Sequence, residues 1–247
     1  MKAKKKIIFF IPARAGSQRV KKKNMVLIGK NPLLYYKIKS CLASKLGRVI
    51  VSTDSKTIAN YSKKKGAEVP FIRPKIYSNS KASTIAALID FVRYLKFKEK
   101  KLPDFIALLP PTNPFLKSES IKRAFLKLKN NRNYNSIISY VRANEHPFLY
   151  IDLSNKIKFN ILKFKGHKYS DFERTQDWPE AYMASSALRI SKISFLLKYI
   201  KNKNPIFNLK PFDMKKCLGY EISKKESFDI NNKRDFKLAN FFLKSNF

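Results

Sequence analysis

Three observations predict an α/β fold, a sheet of strands buried on both faces. Apolar runs of strand length alternate with amphipathic helical stretches through residues 7–128. The strands are near-continuous apolar runs, as expected of a parallel sheet covered by helices on both sides. The loops that follow them collect the Pro, Gly, cationic and hydroxyl residues, and open sheets of this kind bind ligands at the carboxyl ends of their strands.

Each element has its own local signal. Ile-Ile-Phe-Phe-Ile at 7–11 forms a strand stopped by Pro12. Residues 32–44 form a helix with Pro32 at its start and Asn31 as N-cap. A strand at 49–52 leads to Thr53-Asp54, and a helix at 56–65 stops at Gly66. Residues 69–72 read as the next strand. The helix at 83–95 carries Ile85, Leu88, Ile89, Val92 and Leu95 on one face. A strand at 105–109 ends at Pro110-Pro111, and a helix follows at 118–128. Beyond Ser136 the rhythm changes. Residues 137–141, 148–151 and 157–164 read as strands with no long helix between them, so an antiparallel insertion is expected over 136–184. A strand at 187–190 and a helix at 192–199 restore the α/β alternation, and a helix at 233–243 closes the chain. The core is therefore expected to comprise 1–135 and 185–247.

The chain has 53 Lys and Arg against 17 Asp and Glu, a formal charge of +36. Such a balance raises nucleic-acid binding as a function class. Its distribution argues against that class: the cations are mostly Lys, spread over the whole chain, where a dedicated nucleic-acid surface would concentrate Arg on one face. Lys is accompanied by abundant Asn, Ile, Phe and Tyr, all residues of adenine- and thymine-rich codons, so genomic bias accounts for much of the charge. Cys41 and Cys217 make neither a disulfide framework nor a metal site and read as reduced, partly buried thiols. His146 and His167 are too few for a His-rich metal centre. The apolar run before Pro12 is too short for a signal peptide, and no stretch approaches membrane-spanning length. A cytoplasmic protein without membrane or nucleic-acid partners is expected.

The most informative segment is the first strand and the loop after it, Ala13-Arg14-Ala15-Gly16-Ser17-Gln18-Arg19, running to Lys23-Asn24. Gly16 permits close backbone approach to a ligand, amide N–H groups suit phosphate oxygens, and Arg14, Arg19 and Lys23 supply countercharge. The loop contains neither Gly-x-x-x-x-Gly-Lys-Ser/Thr nor Gly-x-Gly-x-x-Gly. Alone, it also fits a strand followed by a solvated basic loop.

Further segments stand in order along the chain: Val49–Asp54, Arg73-Pro74, Lys81-Ala82-Ser83-Thr84, Pro111-Thr112-Asn113-Pro114, Arg174-Thr175-Gln176-Asp177-Trp178 and Asp229-Ile230. With these the chain resembles the acylneuraminate cytidylyltransferases, or CMP-sialic acid synthetases, over nearly its whole length. The resemblance implies a nucleotide-diphospho-sugar transferase-like, Rossmann-like core in three layers. It implies transfer of CMP from CTP to the anomeric hydroxyl of a nine-carbon 2-keto sugar acid, with release of pyrophosphate and with Mg2+ as cofactor. It further implies a homodimer whose insertion reaches over the partner's site.

Carried over residue by residue, Ala13, Arg14, Ser17, Lys23 and Asn24 match the nucleotide loop, with Arg14 and Lys23 as phosphate contacts. Arg73, Ala82 and Thr84 match positions near cytosine and ribose; the alternative for Arg73 is an ordinary loop arginine, and for Thr84 a helix-capping hydroxyl. Arg174 matches an active-site arginine, and Gln176 a hydrogen-bonding partner of the sugar. The alternative for Arg174 is a surface residue paired with Asp171 or Glu173. Asp229 and Asn231 match the metal-binding pair, with a turn or N-cap aspartate as the alternative.

The chain departs from the family pattern at several points. Pro110 replaces the usual Gln before Pro-Thr, and Asn231 replaces a second aspartate. Phe148-Leu149 stand where some members carry a Lys. Arg19 replaces a glycine, as in relatives acting on legionaminic and pseudaminic acid, and 183–187 lack the usual Asn-Gly. An enzyme for an eight-carbon sugar acid (3-deoxy-manno-octulosonate), a nucleotide-binding member without turnover, and a basic nucleic-acid-binding protein are the alternatives.

Overall fold

The apolar run after residue 6 becomes an inner strand of a six-stranded sheet. The computed structural model describes residues 7–16, 20–80, 82–152, 160–161, 163–201 and 215–244. Strands in chain order are β1 (Ile7–Pro12), β2 (Leu27–Ile28), β3 (Asn31–Pro32), β4 (Gly47–Ser52), β5 (Phe105–Leu108), β6 (Ser136–Arg142), β7 (Ile151–Asp152), β8 (Asn160–Ile161), β9 (Tyr182–Lys192) and β10 (Cys217–Glu221). Helices are α1 (Leu33–Ala43), α2 (Lys56–Lys64), α3 (Thr84–Tyr94), α4 (Ser118–Asn130), α5 (Ile193–Lys201), α6 (Lys224–Ser227) and α7 (Lys233–Lys244). The sheet order is β10-β6-β9-β5-β1-β4. β1 is parallel to both neighbours, β10 is parallel to β6, and β9 runs antiparallel to β5 and β6.

Side-chain alternation along β1 sorts the helices into layers. Ile7, Phe9 and Ile11 pack in one cluster with Leu34 and Ile38 of α1, Ile58 of α2, and Ile121 and Phe125 of α4. Ile8 and Phe10 face the other way, against Leu88, Phe91 and Val92 of α3 and Leu196 of α5. The result is a three-layer α/β/α core, with β1 itself almost wholly excluded from water. Gly47 opens β4 where a Cβ would lie 1.8 Å from the Ile7 carbonyl oxygen, so only glycine lets the two strands meet there.

Several local expectations are corrected. Asn31 is not the cap of α1: it pairs in the β2–β3 ribbon, and Pro32 holds the cap position. Residues 69–72 form no strand. Glu68 alone bridges β4, through Glu68 N–H to Val49 O and Val51 N–H to Glu68 O, and Pro70 has no N–H to extend the ladder. Of 148–151, Phe148 and Leu149 belong to a 3-10 turn, Pro147–Leu149, begun by a proline and capped by His146 Nδ1 accepting the Phe148 N–H, and only Ile151 is in a strand, β7. Of 157–164, the described part holds the two-residue strand β8 and an isolated bridge from Phe164 to His167.

The larger correction concerns the insertion. Its expected first strand is β6, which lies inside the central sheet between β9 and β10. β6 needs β9 and β10 as neighbours, both distant in sequence, and the reading along the chain missed β10 and α6 altogether. What leaves the sheet begins after Arg142 and returns at Tyr182. This excursion carries its own aromatic cluster of His146, Phe148, Phe164, Phe172 and Trp178, with His146 Nε2 2.8 Å from the Pro179 carbonyl oxygen.

The buried stripe of α1 contains a cation. Leu33, Lys37 and Cys41 stand four residues apart, and all are fully buried. Lys37 Nζ makes no hydrogen bond. Desolvation, opposed by the nearby Cys41, Glu226 and Asp229, lowers its pKa from 10.5 to about 8. Burial likewise pushes the Cys41 thiol up to about 12, leaving it neutral and unreactive.

Between pH 8 and 10.5 the unfolded chain holds the Lys37 proton more often than the folded one. Stability from this group therefore rises with pH across that window and is lost as pH falls through about 8. Lys37→Met is expected to stabilise the protein at pH 7 by about 1–4 kcal/mol and to flatten that rise. Urea unfolding at pH 7 and 10 checks both.

Candidate functional site

Parallel β1, β4 and β5 end on one rim, and their loops enclose a cleft of about 250 Å³. The end of β1 contributes Pro12 and the loop after it Arg14 and Gly16, followed by Lys23 and Asn24 from a 3-10 turn, Lys23–Met25. Arg73 enters from the stretch between α2 and α3, held against Ser52 at the end of β4. Ala82, Ser83 and Thr84 stand at the start of α3, and Pro110, Pro111 and Thr112 follow β5.

The turn carrying Lys23 and Asn24 is held from both ends. Val20, its entry, is buried beside Ile230 and Phe236, and Lys22 adopts φ +51°, a left-handed conformation that lets the chain reverse. Asn24 is nearly buried, and its Nδ2 donates to the Arg14 carbonyl at 2.9 Å. Arg14 Nη1 donates to the Asn79 carbonyl at 2.7 Å, and the Ala82 N–H donates to Asn79 Oδ1 at 2.8 Å. Asn79, not singled out in the sequence, thus ties the first loop to the start of α3.

Arg73 is 5 % exposed. Its Nε donates to Ser52 Oγ at 2.9 Å, its Nη2 to the Ser52 carbonyl, and its N–H to the Thr53 carbonyl. Desolvation lowers its pKa to about 10, so it stays cationic at neutral pH. It is a desolvated charge built into the wall, not an ordinary loop arginine. Ser83 is the N-cap of α3, accepting the Ala86 N–H at 3.1 Å, so Thr84 is released from a capping role. The amino end of α3, with its outward N–H groups and positive dipole, opens on the cleft.

Of the other residues singled out, Ala13 is fully buried, with its N–H on the Ser52 carbonyl, and lies outside the cleft lining. Ser17 and Arg19 lie outside the described residues. Asp229 is half-buried next to the lining: the Ile230 N–H donates to the Thr112 carbonyl at 2.8 Å. Asn231 Nδ2 lies 3.2 Å from Asp229 Oδ2, while Asp229 Oδ1 is buried and accepts no hydrogen bond. Among the described residues no cluster of three or more His, Cys, Asp or Glu stands ready to hold a metal.

Arg174 and Gln176 are exposed on the excursion between β6 and β9 and are absent from the cleft lining. Arg174 pairs with Asp177, at 2.9 Å from Nε to Oδ2, and not with Asp171 or Glu173.

Asn113 is a further residue the sequence reading passed over, although it sits inside the Pro-Thr-x-Pro turn. It is fully buried; its Nδ2 donates to the carbonyls of Ser227 and Phe228, and its Oδ1 accepts from Ser186 Oγ. It joins the loop after β5 to the segment bearing Asp229.

A family model described as Cytidylyltransferase matches residues 8–245. The chain belongs to the cytidylyltransferase family. The N-acylneuraminate cytidylyltransferase of Escherichia coli O18:K1:H7 is 30% identical over 235 residues, covering 95% of this chain and 51% of that protein. The Helicobacter pylori protein named pseudaminic acid cytidylyltransferase and UDP-2,4-diacetamido-2,4,6-trideoxy-beta-L-altropyranose hydrolase is 28% identical over 233 residues, covering 94% of this chain and 41% of that one. The chain thus spans about half the length of these curated relatives or less. The fold is shared with a CMP:2-keto-3-deoxy-manno-octonic acid synthetase complexed with CTP, at TM-score 0.69 and 12% identity, over 97% of this chain and 98% of that one. No helix among the described residues of this cytidylyltransferase family member is long and apolar enough to cross a membrane.

Asn113→Ala is expected to leave two carbonyls and a hydroxyl unpaired. A loss of about 2–3 kcal/mol is predicted, read as a lower urea midpoint with unchanged slope.

Proposed function

We propose that this protein is a nucleotidyltransferase that forms a CMP-activated nonulosonic acid from CTP and a nine-carbon 2-keto sugar acid. The observation that carries the reading is the cleft itself. In a member of the cytidylyltransferase family, Arg14, Lys23, Arg73 and the amino end of α3 converge at the carboxyl ends of β1, β4 and β5. That concentration of cations and amide donors suits a triphosphate.

In this reading Arg14 and Lys23 hold the triphosphate and spread the negative charge that develops as the α-phosphorus is attacked. The sugar's anomeric hydroxyl releases its proton to solvent as its oxygen forms the new bond to phosphorus, the bond to the bridging oxygen breaks, and pyrophosphate leaves with that electron pair. Arg73, Ala82, Thr84 and the carbonyl of Pro110 face the base and ribose. A desolvated guanidinium discriminates by leaving polar groups unpaired when the wrong base enters.

Asp229 and Asn231 would hold Mg2+. One carboxylate with an orphaned oxygen beside an amide fits a cation that takes few protein ligands and completes its shell with water and phosphate oxygens. The ion would supply charge neutralisation on the phosphates.

Arg174 and Gln176 are assigned to the sugar acid, and a homodimer explains how they serve a cleft they do not line. The excursion that bears them exposes Leu149, Tyr150 and Tyr169, and the adjoining start of β9 exposes Tyr182 and Met183, together an apolar and aromatic surface suited to a second copy. We assign the reaction to the cytoplasm, a reading with which the free thiols of Cys41 and Cys217 are compatible.

Pyrophosphate release from CTP is expected with one or more of N-acetylneuraminic, legionaminic and pseudaminic acid. An eight-carbon 2-keto acid is the control. Absence of release with every nine-carbon acid refutes the reading, and salt-sensitive duplex binding without CTP dependence would replace it. Arg174→Ala is expected to abolish turnover while leaving CTP affinity within about threefold. Mixing inactive Arg174→Ala and Lys23→Ala proteins should restore part of the activity if the sites are shared between subunits.

A further inference from the structure

The peptide unit joining Arg14 to Ala15 is held at both of its polar atoms by side chains. Its carbonyl accepts from Asn24 Nδ2 at 2.9 Å, and its N–H donates to Asp54 Oδ1 at 2.7 Å. The topology explains why Asp54 reaches it. Pro12 and Ser52 are opposite in the β1–β4 register, and the Ala13 N–H continues the pairing onto the Ser52 carbonyl. Past that point the main chains diverge, and the Asp54 carboxylate takes over from the backbone ladder. Asp54 is itself fixed between neighbours. The Thr53 carbonyl accepts the Arg73 N–H at 2.8 Å, and Thr53 Oγ1 accepts the Ser55 N–H at 3.1 Å.

We infer that Asp54 is a positioning residue of the phosphate loop, clamping the Arg14–Ala15 peptide with Asn24 so that Arg14 is presented to the triphosphate. The inference rests on the cytidylyl-transfer reading of the cleft. It has two consequences for that site. The Ala15 N–H is occupied by a carboxylate and is not one of the amides offered to phosphate. Asn24 acts through the loop backbone, by holding the Arg14 carbonyl. A carboxylate beside an anion site would ordinarily repel the ligand. Here one oxygen is turned to a backbone amide and the charge is opposed by the buried Arg73, so the cost to anion binding is small. A catalytic cation displaced by even a fraction of an ångström loses much of its effect, which gives a clamp at this peptide its leverage.

The experiment compares wild type, Asp54→Asn and Asp54→Ala by calorimetric CTP binding, steady-state kinetics and amide NMR. Asp54→Asn retains an acceptor oxygen. Asp54→Ala removes it. The expected result is a Kd and KM for CTP raised about tenfold in Asp54→Ala and by less than about threefold in Asp54→Asn, with the sugar KM unchanged. The Ala15 amide proton should resonate downfield and exchange slowly in wild type, move upfield in Asp54→Asn, and lose its protection in Asp54→Ala. Unchanged CTP affinity in Asp54→Ala, or an Ala15 resonance indifferent to Asp54→Asn, overturns the inference. If Asp54→Ala does not fold, the Asn variant and the Ala15 resonance still decide. Wild type that binds CTP without turnover on any sugar acid sinks the transferase reading instead, and leaves the clamp to be judged on Kd and the Ala15 signal.

Discussion

The structure depends on the parallel pairing of β1 with strands on both of its edges. Ile7–Phe10 are bonded to β4 on one side and β5 on the other, while their side chains are buried above and below. A strand so enclosed has no freedom in register: a one-residue slip would send Ile7, Phe9 and Ile11 into the helical layer built for Ile8 and Phe10. Because β1, β4 and β5 are parallel and staggered together, their carboxyl ends arrive at one rim. The loop bearing Arg14 therefore opens beside Asp54 and shares a cleft with Pro110–Thr112.

Around that rim, charge is used locally. The formal +36 is a property of the whole chain, but the cleft is shaped by three cations whose settings differ. Arg73 is desolvated and locked onto Ser52. Arg14 bridges two loops through the Asn79 carbonyl, and Lys23 is delivered by a tight turn with its base in the hydrophobic cluster of Val20 and Ile230. The same cluster brings Asp229 close to Thr112, and Asn113 fastens the two segments. Lys37 lies beneath them, a buried ammonium whose electrostatic neighbours include Glu226 and Asp229. The floor of the region is thus polar and charged while its surroundings are packed hydrocarbon, an arrangement that orients groups at some expense of stability.

The excursion between β6 and β9 is organised on different terms. Its own aromatic cluster, centred on His146, Phe148 and Trp178, makes it a small packed unit. The packing, with the bond from His146 Nε2 to the Pro179 carbonyl, accounts for His146 in structural terms. Arg174, at its surface, is satisfied by Asp177 within the same turn. An exposed pair of this kind is weakly held, so its arginine is readily available to a carboxylate brought to it.

Sequence alone determined the layered α/β architecture, the helices of the first half within a residue or two, and the three stretches of chain that line the cleft, after β1, before α3 and after β5. Those features rest on local signals: apolar runs, helical spacing, and prolines or glycines at element ends. The family's motifs could be read off for the same reason, since each is a short contiguous segment. Tertiary structure alone decided the rest. It put β6 in the central sheet, because a strand's place is set by partners such as β10, which lies about eighty residues further on. It denied 69–72 a ladder and gave Asn31 to a ribbon. It showed Lys37 to be wholly buried and Arg73 desolvated, and it brought Asp54 to Ala15 and Asn24 to Arg14. Burial is a property of the packed whole, and pairings such as β6 with β10 or Ala15 with Asp54 join residues too far apart for any local window of sequence to hold both.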